Sequence, residues 1–381
     1  MRTTCRDWNR QRGVTLVEAL VAVALLALVI IAFLSALDVS ARVAKVQGNI
    51  SDMTENVRFS IAALVREARE AGTGGFPIVA PDASGALAPL ATAVEDNVTS
   101  HATLGGRQPL DGTDILHLRG VFESDLYDIP GGSVSLSGST GAVVIPGISP
   151  VTGNPQELAN PAPPQGHALL IGLQTPLDIP SGLSAGGVRH YSGYRVVIVD
   201  SAAVTGTPPN DSMAVTFHTQ GAEAALKYNP GGSFVTFSTG FAYSAGFLND
   251  YQYFIANNGV GEPSLYRWDS FSTAAEELVP NISNLQVALA CDWDRNGQIQ
   301  GNEWFLTAAN ATLPTGSQMD AFVGARISVV ARSQDPDLSW MERVTTMPED
   351  GVALSGAALK YRHRVITVAV APRSHPPLED S

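Results

Sequence analysis

Cysteine is almost missing: Cys5 and Cys291 are the two in 381 residues. One possible pair cannot make a disulfide framework, so the fold must stand on its core and on any metal it holds. Charge is sparse as well. Charged residues are 15% of the chain, against about 25% in an ordinary soluble domain. The formal net charge of −13 leaves no electrostatic footprint for nucleic acid. None of the seven histidines has the spacing of a zinc pair, and neither a phosphate-binding G-x-x-x-x-G-K-[ST] loop nor a G-x-S-x-G elbow occurs. Cys291 reads as buried rather than nucleophilic, and no catalytic residue is assigned. The Gly- and Ser-rich run Gly131–Gly141 reads as loop, and no internal repeat is evident. Hydrophobic residues make up 45%, enough for a sizeable core and too many for wholesale disorder.

The few charges are unevenly placed. Arg2, Arg6, Arg10 and Arg12 against Asp7 give residues 1–13 a net of +3, leaving −16 on the remainder. From Val14 to Leu37, 24 residues, the only charge is Glu18. A span of about 20 apolar residues crosses a bilayer, and arginines ahead of it hold that end in the cytoplasm. A cleaved secretory signal with its site near Ala36 and a plain membrane anchor are the competing readings. Neither has a use for Glu18, a carboxylate that is unfavourable in lipid without a partner.

Arg12-Gly13-Val14-Thr15-Leu16-Val17-Glu18 resembles the class III signal of type IV prepilins and type II secretion pseudopilins. The resemblance implies cleavage by prepilin peptidase after Gly13, N-methylation of Val14, and pairing of Glu18 with the N-terminal amine of a neighbouring subunit during assembly. The family's usual first mature residue is Phe, which Val14 replaces. Loss of residues 1–13 would take Cys5 and leave Cys291 without an intramolecular partner.

Beyond the apolar run, Ile50, Met53, Val57, Ile61, Leu64, Val65 and Ala68 recur at steps of three and four, predicting an amphipathic helix. Arg42, Lys45, Asp52, Arg58, Glu67 and Arg69 are available for its wetter faces. Gly72, Gly74, Gly75 and Pro77 end it, so one helix is expected over 14–71, with 14–37 in the membrane and Gly48 as a weak point. From residue 72 onward the helical period fades. Short apolar runs between turn residues predict strands, among them Ile115–Leu118, Val143–Ile145, Tyr194–Val199, Met213–His218, Ser233–Ser238, Gln252–Ala256, Leu285–Ala290, Ala325–Ala331 and Arg364–Ala371. The fold class expected is α+β: a long N-terminal helix, half of it transmembrane, then a large β-rich antiparallel domain over 72–381.

Several blocks in order resemble the PilW-type minor pilins. Glu55-Asn56-Val57-Arg58-Phe59-Ser60-Ile61 through Ala71-Gly72 is similar to their post-membrane helix. Tyr253-Phe254-Ile255-Ala256, Pro263-Ser264-Leu265-Tyr266-Arg267 and Leu285-Gln286-Val287 are similar to their central block. Arg326–Ser333 and Arg362-His363-Arg364-Val365 are similar to their last strands. Residues 250–373 are thus PilW-like, while 76–250 match nothing. The resemblance implies a minor pilin that helps prime or assemble a type IV pilus, at or near the tip. Its partners would be other minor pilins and the major pilin. The implied location is the bacterial inner membrane and then the pilus, with the pilus roles of adhesion and motility. A type II secretion pseudopilin or a tip adhesin is the alternative.

Asp292-Trp293-Asp294-Arg295-Asn296-Gly297-Gln298-Ile299-Gln300-Gly301-Asn302-Glu303 fits the twelve-residue calcium-loop template of an EF-hand. Asp292, Asp294, Asn296, Gln298 through its carbonyl, Gln300 through water and Glu303 fall at the ligand places, and Gly297 at the sharp turn. The flanks read as strands, Leu285–Ala290 and Trp304–Leu306, so the opening motion of a helix-loop-helix sensor is not expected. A metal-free, Asx-rich hairpin loop is the other reading of the same residues.

Overall fold

A computed structural model describes residues 15–81, 87–158, 162–173, 194–219, 227–229, 242–337, 340–343 and 346–372. The chain divides into two compact units, Met1–Asp52 and Met53–Ser381. Helix α1, Leu16–Glu70, begins in the first and ends in the second. In the first unit it is long and apolar enough to cross a membrane, and residues 15–45 are all exposed. Gly48 does not break it, and Gly72, at φ +82, turns the chain out of it.

In the second unit α1 buries Met53, Val57, Ile61, Leu64 and Ala68, as the spacing predicts. Ile50 stays exposed. Glu67, expected on the wet face, is buried instead. It lies three residues after Leu64, on the same face of the helix. Arg267 compensates it, with Nη1 at 3.3 Å from the carboxylate while the guanidinium stacks 4.7 Å over the Tyr251 ring. Burial still pushes the Glu67 carboxyl upward, against Arg66 and Arg267.

The strands follow in chain order. β1 (Val79–Pro81) pairs with β2 (Leu87–Pro89). Next come β3 (Thr92–Glu95), β4 (Ile115–Gly120), β5 (Tyr127–Pro130), β6 (Val134–Ser137) and β7 (Thr140–Pro146). They are followed by β8 (Ala168–Leu173), β9 (Tyr194–Thr205), β10 (Ser212–His218), β11 (Ala242–Asn257), β12 (Pro263–Asp269) and β13 (Glu276–Pro280). With β3, β4 and β5 attached at its side, the largest sheet runs β13-β12-β11-β8-β9-β10-β7-β6. Its spine is β11, whose first half pairs with β8 and β5 and whose second half pairs with β4 and β12. The remaining sheet is β15-β14-β16-β17, from β14 (Ile282–Cys291), β15 (Trp304–Phe305), β16 (Phe322–Arg332) and β17 (His363–Val370). A short helix, α2 (Ser317–Asp320), precedes β16.

Every described pairing is antiparallel, and the class is α+β as expected. The run Gly131–Gly141, read as loop, instead holds the hairpin β6–β7. Its register pairs Ser137 with Thr140, and Gly138 at φ +62 supplies the first central position of a two-residue turn. The candidate strand Ser233–Ser238 lies outside the described residues.

One core joins the buried stripe of α1 to Ile282, Leu285, Val287 and Leu289 of β14, to Ile327 and Val329 of β16, and to Tyr253 and Ile255 of β11. A second lies under β5–β10, built on Val143, Ile145, Val197, Val215 and Phe217.

Candidate functional site

Gly13 and Val14 lie outside the described residues. Glu18 is described, in the first turn of α1. Its Oε2 accepts from the Thr15 N–H at 2.8 Å and the Thr15 hydroxyl at 3.0 Å, and the Glu18 N–H donates to Thr15 Oγ1 at 3.2 Å. This is a reciprocal capping box. The T-x-x-E spacing of Thr15 and Glu18 is the sequence signal for it. The Glu18 carboxylate is held by a neutral hydroxyl and a backbone amide, with no counter-charge among the described residues.

The second site is the loop between β14 and β15. Cys291 ends β14 and is buried, its thiol pushed up to about 12 by burial and by Glu303. The chain then turns through Arg295 and Gly297, at φ +59 and +75, so a glycine stands where left-handed backbone is needed. A short 3₁₀ turn, Gly301–Glu303, returns it to β15. Leu306, at φ +59, ends that strand one residue short of the expected Trp304–Leu306.

Oxygens of Asp292, Asp294 and Glu303 come within 4.8 Å of one another. Asp292 and Glu303 are buried and Asp294 is exposed. Backbone amides turn the carboxylates inward: Asn296 and Gly297 donate to Asp292 at 3.1 and 2.9 Å, and Gln300 donates to Glu303 at 2.8 Å. Asn296 and Gln300 point side-chain amides at Asp294. Five of the six expected ligand residues thus meet through their side chains. The sixth, Gln298, sits on the same turn and donates its N–H to Asn296 Oδ1 at 2.8 Å. Three carboxylates this close favour a cation among them. The donor set is oxygen only, which suits a hard ion.

Residues 252–373 match the family model of type IV pilus-assembly protein W, and residues 8–34 match the prokaryotic N-terminal methylation motif. These two matches support a type IV prepilin of the PilW-type family. No curated protein and no solved structure matched it. The motif and the apolar helix fit a membrane-anchored pilin with a role in pilus assembly.

The body of this prepilin also holds an arrangement that sequence reading missed. Asp250 is fully buried at the point on β11 where β8 gives way to β4. It takes Arg119 Nε at 3.0 Å, the Tyr228 hydroxyl at 2.9 Å, the Ser270 hydroxyl at 2.8 Å and Lys227 Nζ. Burial opposes its charge, yet Arg119, His117 and Lys227 hold the carboxyl well below the usual range. Beside it, Glu95 accepts from His117 at 2.8 Å and His101 at 3.0 Å. No local spacing joins residues 95, 117, 227 and 250; the register of β3, β4 and β11 joins three of them, and Lys227 comes from outside the sheet.

Proposed function

We propose that this prepilin is a minor pilin. Prepilin peptidase cuts it after Gly13, Val14 becomes the methylated first residue, and the chain enters a pilus with other minor pilins and the major pilin. Before assembly α1 anchors it in the inner membrane with the body on the periplasmic side. The large body favours a place at or near the tip, where bulk meets no neighbour above it. One observation carries this reading. A carboxylate in the first turn of α1, within its exposed apolar run, meets only Thr15 among the described residues, so a neighbour's N-terminal amine would bring the charge that lipid does not.

The test is Glu18→Ala. The variant stays in the membrane but falls at least tenfold in sheared pili, while Asp52→Ala, on the exposed face near the end of the first unit, does not. Recovery of Glu18→Ala in pili at the unmodified level refutes the assembly role. Co-purification with secretion-system pseudopilins instead of pilins moves the protein to a pseudopilus.

The same proposal places calcium in the loop. Asp292, Asp294, Asn296, Glu303, the Gln298 carbonyl and a water on Gln300 supply a hard-cation shell. There the ion ties β14 to β15 and neutralises the three carboxylates.

A further inference from the structure

A second group of oxygens lies away from the loop, where three segments close over β14. The turn after β3 and the approach to β4 are stitched together: Asn97 N–H donates to Asp114 Oδ1 at 2.9 Å, Val98 N–H to Thr113 O at 3.0 Å, and Gly112 N–H to Val98 O at 2.9 Å. Asp114 is fully buried and bridges to β14 by accepting the Val287 N–H at 2.7 Å. The third segment, 346–352, is fastened to β16 by Glu349, which takes both arms of Arg326 at 2.7 and 2.5 Å.

Between them lies Gln286, fully buried. Its amide nitrogen donates to Gly112 O at 3.2 Å and Asn284 Oδ1 at 3.0 Å. Both neighbours are acceptors, so flipping the amide would set oxygen against oxygen. The Gln286 oxygen therefore faces away from Gly112 and Asn284, and the side chain packs against segment 346–352, where a Cβ on Gly351 would stand 3.0 Å from Gln286 Cδ. That oxygen has no partner, and neither has Asp350 Oδ1 or Asn97 Oδ1. A fully buried amide oxygen left unpaired costs roughly 1–3 kcal/mol, and here three orphaned oxygens come from three neighbouring segments; the place where these meet is termed the recess.

The recess is also acidic. Asp96, Asp114 and Asp350 form no ion pair with any described residue. Asp350 lies close enough to repel both Asp96 and Asp114. Asp114 already spends both oxygens on backbone amides, so it positions the wall. Asp96, Asn97, Gln286 and Asp350 have oxygens to give.

We propose that this recess is a second cation site, binding calcium through oxygens of Asp96, Asn97, Gln286 and Asp350. The donors are carboxylate and amide oxygens with no nitrogen or sulfur, which selects a hard ion. They come from a turn, a loop and strand β14 rather than one rigid element, which suits the variable shell of calcium better than the strict octahedron of magnesium. Bound there, the ion clamps segment 346–352 to the turn after β3 and to β14. This site does not depend on the reading of Asp292–Glu303.

Calcium binding to the detergent-solubilised full chain, measured by equilibrium dialysis at pH 7.5, tests it. The unmodified protein should take two ions. With the loop disabled by Asp292→Asn and Glu303→Gln it should still take one, and melt higher in calcium than in chelator. Adding Asp350→Asn to that background should abolish the remaining binding, and Asp96→Asn should weaken it at least tenfold. Magnesium at equal concentration should not replace it. Calcium-free behaviour of the loop-disabled protein, with identical melting in calcium and chelator, overturns the proposal whatever the loop does. One ion in the unmodified protein, kept on disabling the loop and lost with Asp350→Asn, supports this site and refutes the loop instead.

Discussion

Asp250→Asn keeps the shape of the side chain and removes its charge. Arg119 would then keep its carbonyl contact to Leu90 at 2.8 Å but lose its only carboxylate at hydrogen-bond distance among the described residues. Its side chain is 7% exposed, so water cannot replace the partner. Lys227, at 31%, can swing outward. Removing one partner of a buried ion pair costs about 3–5 kcal/mol, and weakened hydrogen bonds to Tyr228 and Ser270 add about 1 kcal/mol each at most. Against a typical total of about 5–15 kcal/mol, the expected loss of roughly 4 kcal/mol brings the body close to unfolding. Urea titration of the full chain in detergent, followed by tryptophan fluorescence, reads the change as a lower midpoint at similar slope. The pair Asp250→Leu with Arg119→Met should recover most of the loss, because apolar replacement of a buried pair is near neutral. A cost below about 1 kcal/mol for Asp250→Asn alone would refute the reasoning, since it would mean that Arg119 is solvated or differently paired.

Three further outcomes are expected. In millimolar calcium the full chain should melt higher than in chelator, by about 2.7 kcal/mol at one hundred times Kd; Asp292→Ala or Glu303→Ala should remove the part due to the loop, and no loss in either variant would leave it a metal-free turn. Gly48→Ala should raise the melting temperature of the helix by circular dichroism, worth about 1 kcal/mol, because a Cβ there meets nothing within 4 Å; a shorter or less stable helix would contradict a straight run through that point. In chelator, stability should fall as pH rises from about 4 toward 8, because Asp114, raised from 3.8 to about 8, binds its proton only in the folded state across that window; a urea midpoint flat from pH 5 to 8 would refute it. Asp250 has the opposite sign: its depressed carboxyl contributes above its unfolded pKa, and that contribution is lost only in acid.

What could be read in advance was local. The buried stripe of α1 follows from three- and four-residue steps, and the loop template lies within twelve consecutive positions. The apolar runs of β4, β7, β9, β10, β14, β16 and β17 announce strands because their alternation is confined to each segment. Glu67 follows the phase of the helix rather than its own polarity, and its compensation by Arg267 comes from β12. The β6–β7 hairpin was missed because Ser and Gly hide a strand that buries only Val134. Asp250 and its partners, like the recess around Gln286, exist only once register has joined distant strands. Such register depends on the packing of whole faces, which no short window contains.

The partners of α1 arrive late in the chain. Asn56 donates to the Pro280 carbonyl, 224 residues on, and Glu67 meets Arg267, 200 residues on. The sheet that covers the helix needs β16, which ends at Arg332. A chain emerging from its N-terminus must therefore hold the apolar stripe of α1 open until most of its length has been made, with loop-closure entropy unpaid throughout. Folding of this body is accordingly slow and close to all-or-none. Any product truncated before Arg332 exposes Val57, Leu64 and Ala68 to chaperones and proteases rather than forming a smaller stable piece.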